Sequence, residues 1–523
     1  MSKPKIKINN IWSTIEDISE EAIVFLYNEL AFDIPGAYFA KQKNPYLKNW
    51  DGKKRLSKKI KERNGLVFLT GLVARVITLL HERFNLICDL EDERKKPDKT
   101  LFYDWNELDF ELRKYQIDVV KESLKKSRGT LEMATGSGKT VVASKIIQEL
   151  GVSPFIFYVT THELLYQAKE RLEASIKNLE VGIIGNGLCE IKDINVMTIQ
   201  TATTVYGKNI LKDLKKFKPE DFDSDIISSW KKEDLSHIKK LDKAHKIKEL
   251  IENCKGMYAD EAHHVPSQTA HDIITKSTNC YHIFGGSATP YRTDNADLII
   301  EGLFGRKICK ITASALIKMG YLMKPEIYFI KLKNKHKSCI NYQEDVKYNI
   351  IENEERNNHI KQISEFLRSQ DLSVLILVRL IEHGKTLNKM IYGSEFIHGS
   401  ISKNKRSQEI KDLNSGKNSI LIGSVLADEG LDIPTLNCVI LAGGGESPIK
   451  CKQRVGRAIR KSKGKSKSII FDFMDVGKYT KKHSKARINI LKDEEEFVVR
   501  EIDSYPYKGD FELKRDFSAN ELF

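Results

Sequence analysis

The sequence predicts an α/β protein in which two tandem parallel-sheet domains follow a small N-terminal α+β domain. Strand-like and helical patterns alternate over most of the chain, which is typical of βαβ units and a parallel sheet. One strand–helix junction carries a glycine-containing sequence that suits a phosphate group, and the alternation restarts near residue 321. A chain of 523 residues also exceeds one ordinary core. We place the domains at residues 1–100, 101–313 and 314–485, with a C-terminal tail at 486–523.

The composition is that of a soluble globular protein. Hydrophobic residues make up 41% and charged residues 30% of the chain. No apolar run approaches the length of roughly 18 residues that a membrane helix needs. The eight cysteines are scattered without a Cys-x-x-Cys pair, so we expect reduced thiols in a cytoplasmic setting rather than a zinc ribbon. The net charge of +14 suggests a polyanionic partner.

The first hundred residues resemble a basic α+β unit. Residues 11–32 and 73–84 carry apolar side chains at helical spacing, and the segment 50–53 (Trp-Asp-Gly-Lys) predicts a turn in a basic hairpin. Two interpretations stay open. The unit is either an accessory nucleic-acid-binding domain in which Trp50 or Tyr46 stacks on a base, or a fold in which Trp50 is core and the lysines form a solvated face.

The phosphate-binding sequence is Ala134-Thr135-Gly136-Ser137-Gly138-Lys139-Thr140. It follows a strand-like run at 129–133 and opens an apolar helical pattern at 141–150. Glycines let backbone N–H groups approach phosphate oxygens, and the N-terminus of a helix adds positive potential. We expect Lys139 to reach the β- and γ-phosphates of ATP and Thr140 to offer its hydroxyl to Mg²⁺. The strict pattern has glycine where this chain has Met133, but the Gly-Ser-Gly-Lys-Thr core is intact.

Two further segments predict the rest of an ATP site. Arg113 and Gln116 lie in a Leu-Arg-Lys-Tyr-Gln segment before the phosphate loop, where the Gln amide can donate and accept at the adenine edge. Asp260 ends a strand pattern and can hold Mg²⁺, while Glu261 beside it is placed to activate the attacking water. Two histidines follow, but adjacent positions point in different directions and no third ligand is suggested, so we do not expect zinc.

Several segments resemble the motifs of the superfamily 2 helicases, in the order in which that family shows them. Residues 260–263 (Asp-Glu-Ala-His) and 287–290 (Ser-Ala-Thr-Pro) are similar to motifs II and III, and residues 159–167 and 198–201 to motifs Ia and Ib. The resemblance implies RecA-like domains, in which motif III couples the ATP state to strand engagement and motifs Ia and Ib contact the nucleic-acid backbone. The coupling residues would be Ser287 and Thr289, and the backbone contacts Thr160, Gln167, Thr198 and Gln200.

A Lys-rich stretch at residues 207–255 interrupts the first of these domains. Its apolar residues recur at helical spacing, so we predict a helical insertion, broken near Pro219. The insertion could track a duplex arm, although a charge run of this kind is more often a solvated helix face.

The second domain repeats the alternation, with buried strands predicted at 374–378 and 420–424 and a last strand at 469–475. Segments resembling motifs V and VI follow the second of these, and a His-Gly pair precedes a helical pattern at 403–413. The residues singled out here are His398 and Gly399 for nucleic acid, Gly430 and Asp432 for the nucleotide, and Gln453, Arg457 and Arg460 for catalysis.

The two motif VI arginines lie three residues apart, which would place them on one helix face. A guanidinium can neutralise charge on the transferring γ-phosphoryl group, as an arginine finger does. The alternative interpretation is a phosphate-binding surface patch.

The complete motif set is identified as that of a superfamily 2 helicase, and it looks most like the XPB-related DNA helicases and phage recombination helicases of the UvsW type. The resemblance implies an ATP- and Mg²⁺-dependent DNA helicase that moves 3′-to-5′ on single strands and remodels branched or forked DNA; we expect a monomer. Two alternatives remain: an RNA-acting helicase or duplex translocase that never separates strands, and a non-enzymatic binding protein with a degenerate ATP site.

Overall fold

The structure is a computed structural model of the whole chain, and it divides into two compact units, Met1–Ile311 and Thr312–Phe523. The residues that it describes are 3–34, 36–44, 47–60, 64–214, 232–264, 268–288, 297–333, 337–424, 433, 435–445, 448–462, 465 and 467–503. Thr289, Gly430, Asp432, Tyr46 and Pro219 therefore lie outside the described residues.

The first unit begins with a five-stranded sheet in the order β5-β6-β2-β1-β7, flanked by helices at Glu20–Glu29 and Val73–Phe84. The strands are β1 (Lys5–Ile8), β2 (Trp12–Glu16), β5 (Ser57–Ile60), β6 (Gly65–Leu69) and β7 (Asp89–Asp92); β3 (Ala31–Asp33) and β4 (Lys53–Arg55) form a separate hairpin beside a helix at Ala37–Lys43. The helix predicted over 11–32 is wrong in its first half. Residues 12–16 alternate in burial and pair with β1 and β6, and a helix begins only after Ser19, whose hydroxyl accepts from the Ala22 N–H.

This N-terminal sheet packs directly on the next part of the chain, within the same unit. A Cβ at Gly71 would lie 2.1 Å from the carbonyl oxygen of Glu301, so the two backbones touch there. Arg75 Nε donates to the Glu301 carboxylate at 3.0 Å, and Leu69 lies against Gly302. One hydrophobic core includes residues of both parts. Residues 1–100 thus pack firmly against the part of the chain that follows them.

The second sheet of this unit is the predicted parallel sheet. In the described residues its eight strands have the order β11-β10-β12-β9-β13-β14-β8-β15, and all pair in parallel except β11 with β10. They are β8 (Arg128–Met133), β9 (Phe155–Val159), β10 (Val181–Gly185), β11 (Leu188–Glu190), β12 (Ile194–Thr198), β13 (Gly256–Asp260), β14 (His282–Ser287) and β15 (Lys307–Ile311). The helices are Lys114–Leu124, Lys139–Leu150, His162–Ser175, Ile199–Val205, Gln268–Ile274 and Asp297–Phe304.

The described part of the Lys-rich insertion is helical, at Lys208–Leu214 and Lys232–Asn253. Leu241, Ile247 and Ile251 bury one face of the longer helix in the core. Its charges pair along the helix itself, as in Lys248 with Glu252 at 2.7 Å, which favours the solvated-face interpretation. Among the described residues, none of the helices combines the length and the apolar character that crossing a membrane requires.

The second unit holds a parallel sheet of seven strands among the described residues, in the order β18-β19-β17-β20-β21-β16-β22. They are β16 (Glu326–Lys331), β17 (Val374–Val378), β18 (Glu395–Ile397), β19 (Ile420–Ser424), β20 (Cys438–Leu441), β21 (Ile469–Met474) and β22 (Val498–Ile502). The helices are Ala313–Lys318, Tyr342–Val346, Glu354–Ser369, Ile381–Met390, Lys403–Asn414, Pro448–Ala458 and Thr480–Lys492, with a π-helix at Lys347–Ile351. The α/β fold class with two parallel sheets is confirmed.

The predicted tail boundary at 485/486 is wrong. It falls inside the helix Thr480–Lys492, and β22 beyond it pairs with β16. β22 is an edge strand of the sheet, in which Arg500 and Glu501 are exposed and the apolar residues are half-buried.

Candidate functional site

The phosphate loop has the geometry that its sequence predicts. β8 ends at Met133, and the helix Lys139–Leu150 begins directly after Gly138. Gly136 and Gly138 have φ of +83° and +79°, in the left-handed region that glycine tolerates. A Cβ at Gly138 would also lie 2.5 Å from the amide nitrogen of Gln116. Met133, where the strict pattern has glycine, is fully buried, so its side chain leaves the loop for the core.

Tyr115 and Gln116 hold this loop in place through hydrogen bonds to its backbone. The Tyr115 hydroxyl and the Gln116 amide both donate to the carbonyl of Ser137, at 2.6 and 2.8 Å. The Gln116 oxygen accepts from the Arg113 N–H at 2.9 Å, which caps the helix Lys114–Leu124. Gln116 is 4% exposed, so both ends of its amide are engaged within the protein. An adenine contact would need this amide to be released from Ser137 and Arg113, and the contact of Gln116 with adenine stays a prediction.

The two carboxylates lie where β13 ends, at the same sheet edge as the phosphate loop. The Glu261 N–H donates to the Asp260 carboxylate at 3.0 Å, and Glu261 has φ of +50°. Its carboxylate lies 3.8 Å from Lys139 Nζ and 3.3 Å from His263 Nδ1. A left-handed backbone at a residue other than glycine is uncommon and here turns the Glu261 side chain toward the lysine.

The two carboxyl groups are driven apart in acidity. Burial, reinforced by the charge of Glu261, raises the pKa of Asp260 to about 6. Burial also acts to raise the pKa of Glu261, but Lys139 and the hydrogen bond from His263 outweigh it and hold that pKa to about 2. Both carboxyl groups are thus mainly ionised at neutral pH, and on acidification Asp260 takes up a proton first.

Ser287 joins this network from the end of β14. Its hydroxyl is fully buried and lies 3.0 Å from His263 Nδ1, the atom that also faces Glu261. A short polar path therefore runs from Lys139 through Glu261 and His263 to Ser287. The structure brings Ser287 to the site as the family resemblance implies.

The motif Ia and Ib residues fall into two groups. Gln200 donates to the carbonyl of Thr160 at 2.6 Å, which ties the two loops together, and Gln167 is exposed on its helix. Thr198 is fully buried, and its hydroxyl accepts from the Thr201 N–H as the cap of the next helix. The predicted nucleic-acid contact of Thr198 is wrong, because a buried capping hydroxyl cannot reach a strand; the residue positions Gln200 instead.

In the second unit, Gln453 and Arg457 lie on the helix Pro448–Ala458. The prediction that Arg457 and Arg460 share a helix face is wrong. The helix ends at Ala458, and Arg460 forms a β-bridge with Leu322. His398 and Gly399 directly follow β18, at the carboxyl edge of the sheet.

A buried ionic cluster, which the sequence analysis did not predict, holds the loop that precedes this helix. Arg356 and Arg487 each donate at 2.6 Å to a loop carbonyl, of Ala442 and Gly445, just before the helix Pro448–Ala458. Asp475 accepts from both arginines, at 3.1 and 3.3 Å, and Asp472 accepts from Arg487 at 2.7 Å. Two carboxylates in and after the otherwise apolar strand β21 were the available signal.

Two family models match the chain. The model "Type III restriction enzyme, res subunit" matches residues 109–292, and "Helicase conserved C-terminal domain" matches residues 346–462. Among solved structures, the chain is similar to the ATP-dependent Type ISP restriction-modification enzyme LlaBIII bound to DNA, with a TM-score of 0.52 and 16% identity over 76% of this chain and 32% of that one. That likeness concerns the fold.

Three curated relatives are similar in sequence. "Putative helicase 22" of Sulfolobus islandicus filamentous virus is 28% identical over 76% of this chain and 70% of its own length. The DNA 3′-5′ translocase XPB2 of Sulfurisphaera tokodaii is 23% identical, over 67% of this chain and 79% of its own. The ATP-dependent DNA helicase uvsW of Enterobacteria phage T4 is 26% identical, over 42% of this chain and 45% of its own.

The two parallel-sheet units, the phosphate loop and the matched helicase models define a nucleic-acid-dependent ATPase of the helicase class. Within that class, the chain is similar in sequence to the XPB-related and UvsW-like helicases of superfamily 2.

Proposed function

We propose that the chain uses ATP to move 3′-to-5′ on DNA and remodels branched or forked structures. The observation that carries the motor part is the polar path from Lys139 through Glu261 and His263 to Ser287. It links the group that faces phosphate to a hydroxyl at a neighbouring strand end. The direction and the DNA substrate are supported by the named relatives, of which one is a DNA 3′-5′ translocase and another a phage DNA helicase. The branched substrate is what the motif resemblance implies.

ATP and Mg²⁺ are the proposed cofactors. Thr140 lies in the first turn of the helix after the phosphate loop, and Asp260 ends β13 at the same sheet edge. Mg²⁺ in such sites takes one or two protein oxygens and completes its shell with phosphate and water, so a hydroxyl and a carboxylate fit it. The bound ion would neutralise charge on the phosphates. In the described part of the chain no group of three or more His, Cys, Asp or Glu side chains forms a metal site.

Glu261 is the proposed base, and its pairing explains how ATP would activate it. Without nucleotide, Lys139 holds the pKa of Glu261 to about 2, where the carboxylate is a weak base. A nucleotide phosphate bound by Lys139 would weaken the pairing of Lys139 with Glu261, so that Glu261 could accept the proton of the attacking water. Arg457 and Arg460 remain the proposed cations for the transferring phosphoryl group, and Gln453 is assigned with them.

The substrate contacts are proposed for the exposed or loop-end residues of the motif set. Thr160, Gln167 and Gln200 in the first unit and His398 and Gly399 in the second are the candidates. Gly430 and Asp432 stay predictions for the nucleotide, from the motif V resemblance.

The experiment is ATP hydrolysis by the full chain with single-stranded DNA, duplex, a four-way junction and RNA in parallel, followed by strand displacement on the junction. We expect DNA to stimulate hydrolysis and the junction to be processed. Stimulation by RNA alone would overturn the DNA assignment. Glu261→Gln should bind ATP normally and hydrolyse it about 10²- to 10⁴-fold more slowly, since an amide cannot accept the proton; near wild-type turnover would overturn the base assignment.

A second candidate is a duplex translocase that never separates strands. One relative is named a translocase, but the relatives named helicases do not favour this alternative. Displacement of a third strand from a triplex, without release of a strand from a forked duplex, would select this function.

A further inference from the structure

An aromatic and basic cluster lies at the carboxyl edge of the second sheet, and nothing in the proposed function uses it. We call it the aromatic patch. Its rings are Tyr342, Tyr348, Tyr479 and His483, and its cations are Lys337, Lys347, Arg379 and Lys478. Five of these eight residues lie outside residues 346–462, the span of the helicase C-terminal model: Lys337, Tyr342, Lys478, Tyr479 and His483.

Tyr342 is the centre of the patch. Its ring centroid lies 6.3 Å from that of Tyr479 and 5.2 Å from that of His483. Its hydroxyl accepts from Arg379 Nη1 at 2.6 Å, and the guanidinium lies 5.6 Å from the ring centroid. The rings are half-buried, whereas Arg379 is exposed. The Tyr342 and Tyr479 rings meet edge to face, and the His483 ring is tilted by 55° to that of Tyr342. Aromatic rings beside an exposed guanidinium resemble the surfaces on which nucleic-acid bases stack.

The other cations of the patch lie over the rings of Tyr348 and Tyr479. Lys337 Nζ lies 3.6 Å and Lys347 Nζ 5.4 Å from the Tyr348 ring centroid, and Lys478 Nζ lies 5.3 Å from that of Tyr479. All three lysines are exposed. Lys347 also faces Glu352 at 3.7 Å. Further exposed lysines follow on the same helix, at Lys481, Lys482 and Lys485.

A buried carboxylate fixes the patch in place. Asp345 is fully buried and accepts from the backbone N–H groups of Tyr479 and Thr480, at 2.6 and 3.0 Å, and from the Asn349 amide at 2.7 Å. A Cβ at Gly477 would lie 1.8 Å from the same carboxylate. The two segments that carry the rings are therefore locked together, which lowers the entropy cost of binding.

The location is that of a ligand site in a parallel sheet. Arg379 directly follows β17, Lys478 and Tyr479 follow β21, and Tyr342 lies in the segment after β16, so three carboxyl ends converge on the patch. His398 follows β18 at the same edge. The adjacent π-helix Lys347–Ile351 is a rare form that is frequent at functional sites.

We infer that the aromatic patch binds a single-stranded segment of nucleic acid, with unpaired bases on the rings and phosphates on the lysines. This inference rests on the proposed function and names a surface that would hold the strand being tracked. A single strand is the occupant that needs both features, because a duplex offers phosphates without exposed base faces.

The test measures binding of fluorescent oligo-dT by the full chain over a salt series. Lys337→Ala with Lys478→Ala should lower the slope of log K against log salt by about 1.4, since each lost phosphate contact on a single strand is worth about 0.7. Tyr342→Ala should weaken binding about tenfold at fixed salt and change the slope little, because stacking carries no counterions. Tyr342→Phe should bind like the wild type.

Matched controls come from the amino edge of the same sheet. Lys389→Ala with Lys417→Ala removes two exposed lysines, and Tyr392→Ala removes an 87% exposed ring. If these controls weaken oligo-dT binding as much as the patch variants, the inference is overturned. It is also overturned if the patch variants bind oligo-dT normally, or if they lose affinity for a fluorescent ADP instead. A wild-type chain that binds no nucleic acid would mark failure of the proposed function itself.

Discussion

At the scale of single residues, the ATP site is held by side chains whose polar groups form hydrogen bonds within the protein. Tyr115 and Gln116 converge on one carbonyl, that of Ser137, and hold the loop whose amides face phosphate. His263 is shared between Glu261 and Ser287. Positioning of this kind lowers the cost of forming the phosphate site, because the loop need not be ordered by the nucleotide.

This arrangement separates two roles for Gln116. Gln116→Ala removes the donor to Ser137 and the acceptor for the Arg113 N–H, so the loop loses support and the KM for ATP should rise by about tenfold, equivalent to about 1.4 kcal/mol. If the amide keeps its bonds to Ser137 and Arg113 when ATP binds, the preference for ATP over GTP should not change. Steady-state hydrolysis of both nucleotides measures this, with Tyr115→Phe as the control that removes only the second donor. Loss of the ATP preference in Gln116→Ala would instead support the predicted contact of Gln116 with adenine.

A second residue-scale prediction concerns acid stability. His383 is fully buried with Nε2 2.9 Å from the Asn357 amide oxygen, and burial, aided by the charge of Arg356, lowers its pKa to about 3. The unfolded chain takes up a proton near the ordinary value of about 6.5, so between these values the unfolded state binds more protons and stability falls as pH falls. Going from pH 6.5 to 5 should cost about 2 kcal/mol through this group.

The measurement is the unfolding midpoint of the wild type and of His383→Gln across that pH window. The amide of Gln keeps a donor for Asn357 but does not titrate, so the variant should lose less stability on acidification. Parallel pH curves for the two proteins would contradict the assignment.

At the scale of elements, the arginine and aspartate cluster fixes the loop that leads into the helix Pro448–Ala458. Arg356 and Arg487 reach the carbonyls at the two ends of the segment 442–445, three of whose residues are glycines. Glycines leave that loop conformationally free, so external contacts must define its path. The direction in which the helix presents Arg457 therefore depends on residues far away in the sequence.

Arg487→Met combined with Asp472→Asn tests this dependence. The pair removes both charges together, which avoids leaving a buried ion unpaired at a cost of about 3–5 kcal/mol. We expect a folded protein whose nucleotide affinity is unchanged but whose kcat is reduced about tenfold or more, because a loosened loop misplaces Arg457. Arg368→Ala, which also loses one arginine–carbonyl contact, with Tyr392, is the control and should keep its kcat. A double variant with normal kcat and a lowered melting temperature would reduce the cluster to a stabilising role.

Elements and site residues differ in how far the sequence predicts them. Strands such as Val374–Val378 and the helix after the phosphate loop follow from local periodicity and a local glycine pattern, both visible in a short window. The strand Trp12–Glu16 was missed because Ile15 and Ile18 mimic helical spacing, whereas its burial is set by pairing with β6, over fifty residues away. The engagement of Gln116 and the burial of Thr198 depend on tertiary contacts, and so does the aromatic patch, which joins three separate strand ends.

At the scale of the whole molecule, charge is distributed unevenly. Residues 36–60 contain eight Lys or Arg and one Asp, so this segment holds half of the net charge of +14. Trp50, the predicted stacking residue, is half-buried and donates its indole N–H to the Lys53 carbonyl at 2.8 Å, whereas Lys58 is exposed. The lysines are therefore better candidates than Trp50 for contacts between the N-terminal part of the chain and DNA.

Lys53→Ala with Lys58→Ala distinguishes a DNA-binding surface from a solvated one. If both lysines contact phosphates of a duplex, the slope of log K against log salt should fall by about 1.8, and hydrolysis without DNA should not change. Lys121→Ala with Lys125→Ala removes two exposed lysines from the same unit and should leave the slope as it is. The slope reports the counterions that are released when lysines contact phosphates. Removal of a lysine that is only solvated therefore does not change the slope. An unchanged slope in the first pair, beside a steep slope in the wild type, would place the duplex contacts of this helicase elsewhere on the chain.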